Sequence, residues 1–376
     1  MNWNLLEKKL DSTKMKENIQ SQGRSLSLTI NNEIENISRI SSKVRNCRNF
    51  IFSGCGDKHI VDLAAQFVWN KISSKPLSVI QSRLFVNYPS YVDKHTCMVF
   101  VTQSGTTFDT IEACKLAIKR NAKVVCITNL KENKESSIVD ICQNYSNGYV
   151  IKTHTEIYPE ESLPSTSTFH TSLTALNLFS IFVNNNQSRL AEIQVNYIPK
   201  LVDILSRSEK LKEFSKNVAK RLKNVDDFYV LGDGPRYVSA RKAARIMFME
   251  GSKTNAYDIE SEEFIHSLIE TIEGKPKNLI LLKPLDFLDK PMQLYKIIKN
   301  TWPQKMVIEI DPFDFLDSDA KSLFSSDDAD ALSPFIYTIP LEWISYYLAL
   351  LKGKDPGKGK LVNKIRSHDN VKNFLT

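Results

Sequence analysis

Short apolar runs alternate with segments whose apolar positions recur at helical spacing through the first half of this chain. The runs predict buried strands at 49–52, 77–80, 97–101, 123–128 and 148–151. Helical spacing is clearest over 108–118, and a long apolar segment predicts a further helix over 169–183. Because strands that alternate with helices form parallel sheets covered on both faces, the fold class is predicted to be α/β.

The same alternation restarts in the second half of the chain. Apolar runs there predict strands at 227–231, 278–282, 306–310 and 336–339, with a helix over 237–250. In each half the first strand leads into a glycine turn, at Gly54 and at Gly232. We therefore expect an internal repeat of one three-layer α/β domain, joined by the charged, helical stretch 186–225. The expected organisation is a helical segment at 1–45, a first domain at 46–200, a second domain at 201–350 and a C-terminal tail at 351–376.

Composition supports two globular domains. The 376 residues are 42% hydrophobic and 25% charged, which are ordinary values for folded proteins. The net charge of +7 comes from basic residues that are scattered and not interleaved with aromatic residues. This distribution favours an anionic metabolite over nucleic acid as the partner.

Cysteine, histidine and N-terminal patterns exclude several classes of protein. The six cysteines lie in the first half with neither metal-ligand nor redox spacing, so we expect reduced thiols in a cytoplasmic protein. The six histidines are dispersed, so neither a metal site nor another cofactor is expected. The N-terminus is charged too early for a signal peptide, and no apolar run has the length of a membrane span.

The most informative polar stretch is 102–107, which joins the predicted strand 97–101 to the predicted helix 108–118. A helix start offers unpaired backbone N–H groups and the positive end of the helix dipole. The hydroxyl groups of this turn add further donors, so the turn fits a phosphate group without requiring a lysine. The simpler alternative is a helix cap that binds no ligand. The turn follows the C-terminal end of a strand, where open α/β sheets bind ligands.

This turn resembles the phosphosugar-binding turn of the SIS (sugar isomerase) domains. Over nearly its whole length, the chain also resembles the isomerase half of the glucosamine-6-phosphate synthases and the fructoselysine-6-phosphate deglycases. The resemblance implies two tandem SIS domains, each a mostly parallel sheet flanked by helices. It also implies a set of phosphate- and sugar-binding residues: Gly56, Lys58, Thr102, Gln103, Ser104, Thr107, Ser165 and Thr166.

The resemblance further implies three catalytic residues in the second half of the chain. Glu250 and His266, 16 residues apart as in the family, match the pair that shuttles a proton between C1 and C2 of the sugar and assists ring opening. A carboxylate and a histidine suit these two tasks. Lys364 is the candidate for a Schiff base with the open-chain sugar. Taken alone, the three have simpler explanations: a charge at a helix end, a surface histidine and a solvated basic tail.

Several positions depart from the family pattern. Lys58 and Ser167 stand where the synthases carry serine and lysine, and Ser267 follows His266 where they carry glycine. The sequence has no glutamine-hydrolysing domain, so glutaminase activity is not expected. The resemblance therefore implies an isomerase that releases an amine from an aminosugar phosphate, as glucosamine-6-phosphate deaminases do. The alternatives are a fructosamine-6-phosphate deglycase, toward which the segment 340–348 leans, and a non-catalytic phosphosugar-binding regulator.

The expected partners are a sugar phosphate and a second copy of the chain. In the synthases the equivalent histidine reaches the site of the neighbouring subunit, which implies a homodimer with His266 shared across subunits. Contact with nucleic acid or with a membrane is not expected.

Overall fold

The chain forms two compact units, each assembled from separate stretches of sequence. The structure is a computed structural model and describes residues 2–131, 137–185, 189–324, 327–359 and 361. Unit A comprises Arg24–Glu156 and Ser167–Val195, with the described residues that follow Lys358. Unit B comprises the residues up to Gly23 together with Ile157–Thr166 and Asn196–Lys358.

Within the described ranges, the strands form two sheets, one in each unit. Sheet A has the order β2-β1-β3-β4-β5 and contains β1 (Asn49–Gly54), β2 (Leu77–Val79), β3 (Thr96–Thr102), β4 (Lys123–Thr128) and β5 (Gly148–Lys152). Sheet B has the order β7-β6-β8-β9 and contains β6 (Asp227–Gly232), β7 (Asn255–Glu260), β8 (Asn278–Leu282) and β9 (Val307–Ile310). All pairings between neighbouring strands are parallel, which confirms the prediction of parallel sheets.

Helices fill the connections between the strands. The α-helices are α1 (Trp3–Leu10), α2 (Met15–Gln20), α3 (Gln22–Val44), α4 (Asp57–Ile72), α5 (Ser82–Asn87), α6 (Phe108–Lys119), α7 (Ile138–Gln143), α8 (Ser167–Val183), α9 (Arg189–Glu192), α10 (Ile198–Arg207), α11 (Glu209–Leu222), α12 (Pro235–Lys242), α13 (Ser261–His266), α14 (Asp289–Thr301), α15 (Ser318–Leu323), α16 (Asp327–Asp330) and α17 (Pro334–Leu351). Other helical segments are the π-helices Ile193–Tyr197 and Ala243–Ser252 and the 3-10 helices Leu268–Glu273, Gln304–Met306 and Pro312–Phe315. Helices thus flank each parallel sheet, as in three-layer α/β domains.

The central strands of sheet A are buried because their apolar runs pack against helices on both faces. All seven residues of β3 are buried, as are five of the six residues of β4. The core includes Phe100 and Val124 from these strands and Ile111 and Ala117 from α6. Since burial of a side chain the size of Val, Leu or Phe contributes about 1.5–3 kcal/mol, this core holds the carboxyl end of β3 and the start of α6 in place.

The two sheets share one topology. Counted from the first strand of each, sheet A follows the order 2-1-3-4-5 and sheet B follows the order 2-1-3-4. In both, the first strand ends in a glycine turn that leads into a helix. Gly56 has φ 55° and ψ −122°, and Gly234 has φ 52° and ψ −126°; such positive φ values favour glycine. The two sheets thus agree in strand order and in the backbone geometry of this glycine.

Two elements of unit B differ from the expectation. Residues 336–339, expected as a strand, lie within α17, and all 18 residues of that helix are buried. An apolar run with β-branched and aromatic residues fits a buried helix as well as a buried strand, and Pro340 lies inside this helix without ending it. β7 has no counterpart among the expected strands, because this edge strand mixes polar and apolar residues. No helix in the described part of the chain, α17 included, has the length and hydropathy that a membrane crossing requires.

Candidate functional site

The carboxyl ends of β1 and β3 lie side by side in sheet A. Gly54 pairs with Val101 in parallel register, so the loops that leave the two strands are neighbours. From β1 the chain passes to β2 on one side and then to β3 on the other, which makes this the topological switch point of the sheet. Open α/β sheets bind ligands in the crevice at such a point. The glycine turn (residues 54–57) and the hydroxyl turn (residues 102–107) both open there.

Side chains hold the backbone of the hydroxyl turn in shape. The buried Thr102 hydroxyl accepts a hydrogen bond from the Gly105 N–H at 3.3 Å, and the Ser104 hydroxyl accepts one from the Thr106 N–H at 3.3 Å. Gly105 adopts φ 70° and approaches Leu130 so closely that a Cβ would lie 3.0 Å from Leu130 Cδ2. The conformation of the turn is therefore set by the protein itself.

The hydroxyl turn and the start of α6 together can accommodate an anion. Thr107 is the N-cap residue of α6, and its side chain makes no capping hydrogen bond. Ser104 is exposed, whereas Gln103 and Thr107 are half-buried. The 12-residue helix α6 presents its first-turn N–H groups and the positive end of its dipole to the same place. A phosphate group fits this combination of donors.

A cation that the sequence analysis did not single out lies beside this turn. The Arg83 guanidinium pairs with the Asp109 carboxylate, with Nε 3.1 Å from Oδ1. Asp109 is in the first turn of α6, where its negative charge opposes a bound anion, and Arg83 offsets that charge. Arg83 belongs to α5 and to neither turn, so only the fold brings it to the site.

The glycine turn lets α4 begin close to β1. A Cβ on Gly54 would lie 2.9 Å from the carbonyl carbon of Lys58, so a larger residue cannot be placed there without a shift of the backbone. Gly56 needs its positive φ to start the helix, and a Cβ built on it would meet open space among the described residues. The turn therefore leaves room for a ligand beside its backbone.

Lys58, an expected sugar-site residue, is directed into the interior of unit A. Its side chain is 7% exposed, and its ammonium donates to the Thr168 carbonyl at 2.8 Å and lies 3.7 Å from the Asp57 carboxylate. One turn further along α4, the fully buried Asp62 lies beside Gly54. Burial raises the pKa of Asp62 well above its ordinary value, and the nearby Lys58 ammonium opposes that rise. Lys58 thus connects the start of α4 to the start of α8.

Ser165 and Thr166 belong to unit B, where buried charged groups hold their loop, residues 160–166 (the serine–threonine loop). The Glu160 carboxylate accepts hydrogen bonds from the Thr166 N–H at 2.6 Å and from the Thr166 hydroxyl at 2.7 Å. The Lys242 ammonium, from α12, donates to the Ser165 carbonyl. Because Glu160 and Lys242 are both buried, these contacts give the loop a fixed conformation.

Glu250 lies in the π-helix Ala243–Ser252, which directly continues α12. π-Helical turns are rare and occur frequently at functional sites. A Cβ on the neighbouring Gly251 would lie 3.6 Å from Cγ of Pro164 in the serine–threonine loop. Within unit B, the structure therefore brings the segment that carries Glu250 against the loop that carries Ser165 and Thr166.

The C-terminal exit of unit B joins the same cluster. The Lys253 ammonium donates to the carbonyl of Glu250 and, at 2.6 Å, to the carbonyl of Lys358. Burial lowers the pKa of Lys253, and the Glu250 charge opposes that change. The Leu163 N–H donates to the Gly357 carbonyl at 2.8 Å. The serine–threonine loop, the π-helix and the exit segment thus meet in one place.

His266 ends α13 on the surface of unit B. Its side chain is 68% exposed, and its Nε2 lies 3.9 Å from Oε1 of Glu262 on the preceding turn. Lys364, the third expected catalytic residue, lies outside the described residues. The expected site residues divide between the units: Gly56, Lys58, Thr102, Gln103, Ser104 and Thr107 in unit A, and Ser165, Thr166, Glu250 and His266 in unit B.

The corresponding switch point of sheet B has a different chemistry. Asp233, in the second glycine turn, lies beside Glu260 at the end of β7. Burial and the Glu260 charge raise the pKa of Asp233 to about 7. Lys283, which follows β8, pairs with Asp311 at 2.9 Å and with Asp286 at 3.2 Å. Carboxylates repel a phosphate group, so of the two switch points the one in sheet A suits an anion.

Among the described residues, no group of three or more His, Cys, Asp or Glu side chains is placed to hold a metal ion. The groups that the switch point of sheet A offers to a ligand are hydroxyls and backbone N–H groups.

Both switch-point turns of sheet A lie within a match to a known domain family. The SIS domain profile matches residues 43–181, which include both turns of sheet A. The chain is 26% identical over 364 residues to a glutamine–fructose-6-phosphate aminotransferase (isomerizing) of Thermococcus kodakarensis, covering 93% of this chain and 57% of that protein. The protein of the same name from Pyrobaculum aerophilum is 27% identical over 368 residues, covering 93% and 56%. This chain thus spans little more than half the length of these curated relatives.

Solved structures with the same fold cover most of the chain. The C-terminal domain of the Francisella tularensis glucosamine-fructose-6-phosphate aminotransferase matches with a TM-score of 0.72 at 22% identity, covering 92% of this chain and 97% of that one. The Escherichia coli tagatose-6-phosphate ketose/aldose isomerase matches with a TM-score of 0.73 at 16% identity, covering 92% and 95%. The Thermotoga maritima glucosamine-6-phosphate deaminase matches with a TM-score of 0.68 at 18% identity, covering 92% and 97%. The SIS domain match thus extends over residues 43–181, and the chain shares its fold with these solved structures.

Proposed function

We propose that this chain is a phosphosugar isomerase that releases an amine from an aminosugar phosphate, as a glucosamine-6-phosphate deaminase does. The observation that carries the proposal is the hydroxyl turn at the switch point of sheet A, which lies inside the SIS match and fits a phosphate group. The names of the similar proteins support the same substrate class, because they include aminotransferases of fructose 6-phosphate and an isomerase of tagatose 6-phosphate.

In this proposal the hydroxyl turn binds the phosphate group of the sugar. The binding residues are Thr102, Gln103, Ser104 and Thr107. The hydroxyl and N–H groups donate to phosphate oxygens, and hydrogen bonds to a charged group are stronger than those between neutral groups. Gly56 leaves room for the sugar, and Arg83 offsets the charge of Asp109 beside the phosphate.

Glu250 transfers the proton between the two carbons at the end of the sugar chain. Its carboxylate removes the proton from C2 of the open-chain 2-amino aldose and returns it to C1. The C1 oxygen gains a proton and the amino nitrogen loses one, so that a 2-imine of the ketose results. Water then hydrolyses this imine to the ketose phosphate and ammonia. Ser165 and Thr166, held next to the Glu250 segment, bind the sugar hydroxyl groups.

We assign His266 to ring opening in the site of a partner subunit, which makes the protein a homodimer. The 68% exposure of the His266 side chain supports a role at a subunit surface. Lys364 is assigned a Schiff base with the open-chain sugar during this hydrolysis: its amine displaces ammonia from C2 of the 2-imine, and water then releases the ketose phosphate and regenerates the free lysine. These two roles extend the resemblance noted in the sequence.

We infer that the second half of the chain forms a second SIS domain, with 46–200 and 201–350 proposed as the limits of the two domains. The family match covers residues 43–181. Support for the second domain comes from the common strand order and from the near-identical φ and ψ of Gly56 and Gly234. Because the second switch point carries carboxyl groups, this domain contributes Glu250 and His266 and no second phosphate site.

Two other functions are alternatives to the deaminase, and substrate turnover distinguishes all three. The segment 340–348 favours a fructosamine-6-phosphate deglycase by resemblance, yet all of it is buried within α17. This segment therefore belongs to the core of unit B, and its sequence does not indicate which amine leaves the sugar. A regulator that binds phosphosugars without turnover retains the hydroxyl turn and lacks catalysis.

Turnover of two substrates tests the proposal. The protein is incubated with glucosamine 6-phosphate and, separately, with fructoselysine 6-phosphate, and hexose phosphate and released amine are followed. Release from the first supports the deaminase, and release from the second alone assigns the deglycase. Turnover of neither, with thermal stabilisation by the sugar phosphates, overturns the enzyme assignment in favour of the regulator.

A pair of variants tests the role of Glu250. Glu250→Gln removes the proton-transferring carboxylate, so kcat should fall by about a hundredfold or more while the affinity for the sugar phosphate is kept. Glu273→Gln, which changes an exposed carboxylate of the same unit, should leave both unchanged. Wild-type turnover in Glu250→Gln would remove Glu250 from the mechanism.

A further inference from the structure

The carboxyl groups of Asp233 and Glu260 form a pair in unit B that the proposed reaction does not use. Gly232 and Glu260 are in register at the carboxyl ends of β6 and β7, and Asp233 follows Gly232. The two carboxyl groups lie close enough for a hydrogen bond between them, and Asp233 is 6% exposed. A hydrogen bond between two carboxyl groups requires a proton on one of them, so this contact forms only while the pair holds a proton.

Glu260 also starts the helix that leads to His266. Its Oε2 accepts hydrogen bonds from the N–H groups of Glu262 at 2.8 Å and Glu263 at 3.2 Å. α13 has six residues and ends at His266, less than two turns after this cap. Whatever fixes the Glu260 side chain therefore fixes the start of a very short helix.

Asp258 fixes the strand that precedes this helix. It lies two residues before Glu260 and on the same face of β7. Its carboxylate accepts hydrogen bonds from the Tyr237 hydroxyl at 3.0 Å and from Arg245 Nε at 2.7 Å. The end of β7 is thus anchored independently, and the start of α13 depends on the Asp233–Glu260 pair.

Some charged and polar groups around the pair raise the pKa of Asp233, and others lower it. Arg236 on α12 is 1% exposed and ion-paired with Asp330 of α16, and its charge lowers the pKa of Asp233. A hydrogen bond from Ser261 of α13 also lowers the pKa of Asp233. Burial and the Glu260 charge outweigh both, and the pKa of Asp233 is raised to about 7. The pair therefore gains or loses its proton near neutral pH.

We propose that the hydrogen-bonded carboxyl pair of Asp233 and Glu260 is a positioning device that holds the start of α13 and thereby places His266 for catalysis. The inference rests on the proposed function, in which His266 acts on the sugar. While the pair holds its proton, Asp233 donates to Glu260, and Glu260 caps α13. When the proton leaves, two neighbouring carboxylates repel each other, Glu260 moves away from the cap, and the first turn of α13 frays. Asp233 and Glu260 are positioning residues, and neither touches the substrate.

Kinetics on the full chain test the device. The wild-type kcat for glucosamine 6-phosphate should fall as the pH rises through about 7, the pKa of Asp233. Asp233→Asn, whose amide donates to Glu260 at every pH, should abolish this alkaline decline.

Glu260→Ala should lower kcat by about fivefold or more with little change in KM, and Glu260→Gln, which keeps an acceptor for the cap, should restore kcat. Glu270→Gln, an exposed carboxylate after α13, should retain the wild-type profile. An unchanged alkaline decline in Asp233→Asn overturns the proposal.

Deuterium exchange separates this proposal from the proposed function. The peptide spanning 260–266 contains the two capped amides. After correction for the intrinsic pH dependence of exchange, its deuterium uptake should increase as the pH rises through 7 in the wild type and should stay constant in Asp233→Asn. If the wild type lacks turnover but shows this step, the proposed function is wrong and the cap device stands. If turnover is present and uptake of the wild type and Asp233→Asn is identical at every pH, the device is wrong and the proposed function stands.

Discussion

The buried ammonium group of Lys242 donates a hydrogen bond to the main-chain carbonyl of Ser165, 77 residues earlier in the chain. Both residues belong to unit B. Because α12 continues directly into the π-helix, this bond ties the serine–threonine loop to the element that carries Glu250. The Glu160 carboxylate holds the same loop through Thr166. The placement of Ser165 next to the Glu250 segment is therefore a property of the folded unit and needs no ligand.

Lys242→Met tests the importance of this bond. The substitution keeps most of the side-chain volume and removes the donor to the Ser165 carbonyl. Loss of a buried hydrogen-bond partner costs about 1–3 kcal/mol, and we expect the free energy of unfolding to fall by that amount. The kcat for the sugar phosphate should fall by about fivefold or more because Ser165 loses its position. Denaturant unfolding and steady-state kinetics measure both effects.

The control for Lys242→Met is Lys220→Met, which changes an exposed lysine of α11 in the same unit. This variant should alter neither stability nor kcat. If Lys242→Met matches the wild type in both measurements, the serine–threonine loop does not depend on Lys242.

Gly105→Ala tests whether the hydroxyl turn has the one shape that binds phosphate. At φ 70° an alanine is strained by about 1–2 kcal/mol, and its Cβ would lie 3.0 Å from Leu130 Cδ2. We expect the turn to shift and the dissociation constant for the sugar phosphate to rise by about tenfold. Gly274→Ala is the matched control, since that glycine has φ −95° and a Cβ would lie 3.8 Å from the Thr271 carbonyl oxygen. Titration calorimetry would count against the turn if both variants bound equally well.

Two buried carboxyl groups predict that stability declines as the pH rises. The pKa of Asp62 and that of Asp233 are raised in the folded protein, so the folded state binds these protons more tightly than the unfolded chain does. The stabilisation is complete below about pH 4, where the unfolded groups are protonated as well, and is lost as the pH rises through the folded pKa values. For Asp233 this loss is complete somewhat above pH 7 and amounts to at most about 4 kcal/mol.

Thermal unfolding between pH 4 and 8.5 measures this decline. Asp62→Asn and Asp233→Asn each remove one proton-binding group, so each should flatten the dependence of the melting temperature on pH. Glu270→Gln, an exposed carboxylate, should keep the slope of the wild type. A slope that is the same in all four proteins would show that neither carboxyl retains its proton in the folded state.

The elements that frame the switch point of sheet A were predictable because central strands of a parallel sheet bury both faces. Such strands are continuous apolar runs, and the runs at 97–101 and 123–128 correspond to β3 and β4 within one residue. The polar stretch that follows such a run must leave the sheet at its carboxyl end. The position of the hydroxyl turn therefore followed from local sequence alone.

Features that depend on contacts between distant residues were not predictable. β7 is an edge strand with mixed polarity, so its hydrophobic pattern was weak. Asp233 and Glu260 come together only through the register that pairs Gly232 with Glu260. The apolar run at 336–339 does not distinguish a buried strand from a buried helix. In the folded protein these residues pack as part of the buried helix α17.

Arg83→Gln tests the cation that the fold brings beside the hydroxyl turn. The change leaves the Asp109 carboxylate without its partner in the first turn of α6, close to the proposed phosphate. The dissociation constant for the sugar phosphate should rise by about fivefold to tenfold, and less at high ionic strength, because screening weakens the repulsion. Stability should change by less than about 1 kcal/mol, since the ion pair is partly exposed to solvent.

The double variant Arg83→Gln/Asp109→Asn separates two ways in which Arg83 can act. If Arg83 only neutralises Asp109, removal of both charges restores the affinity; if the guanidinium binds the phosphate group directly, the double variant stays weak. Lys115→Gln makes the same change of charge on the exposed face of α6, where the lysine pairs with Glu112, and should leave the affinity unchanged. Wild-type affinity of Arg83→Gln at low salt would show that neither role exists, because a charge so close to a bound phosphate must alter its binding energy.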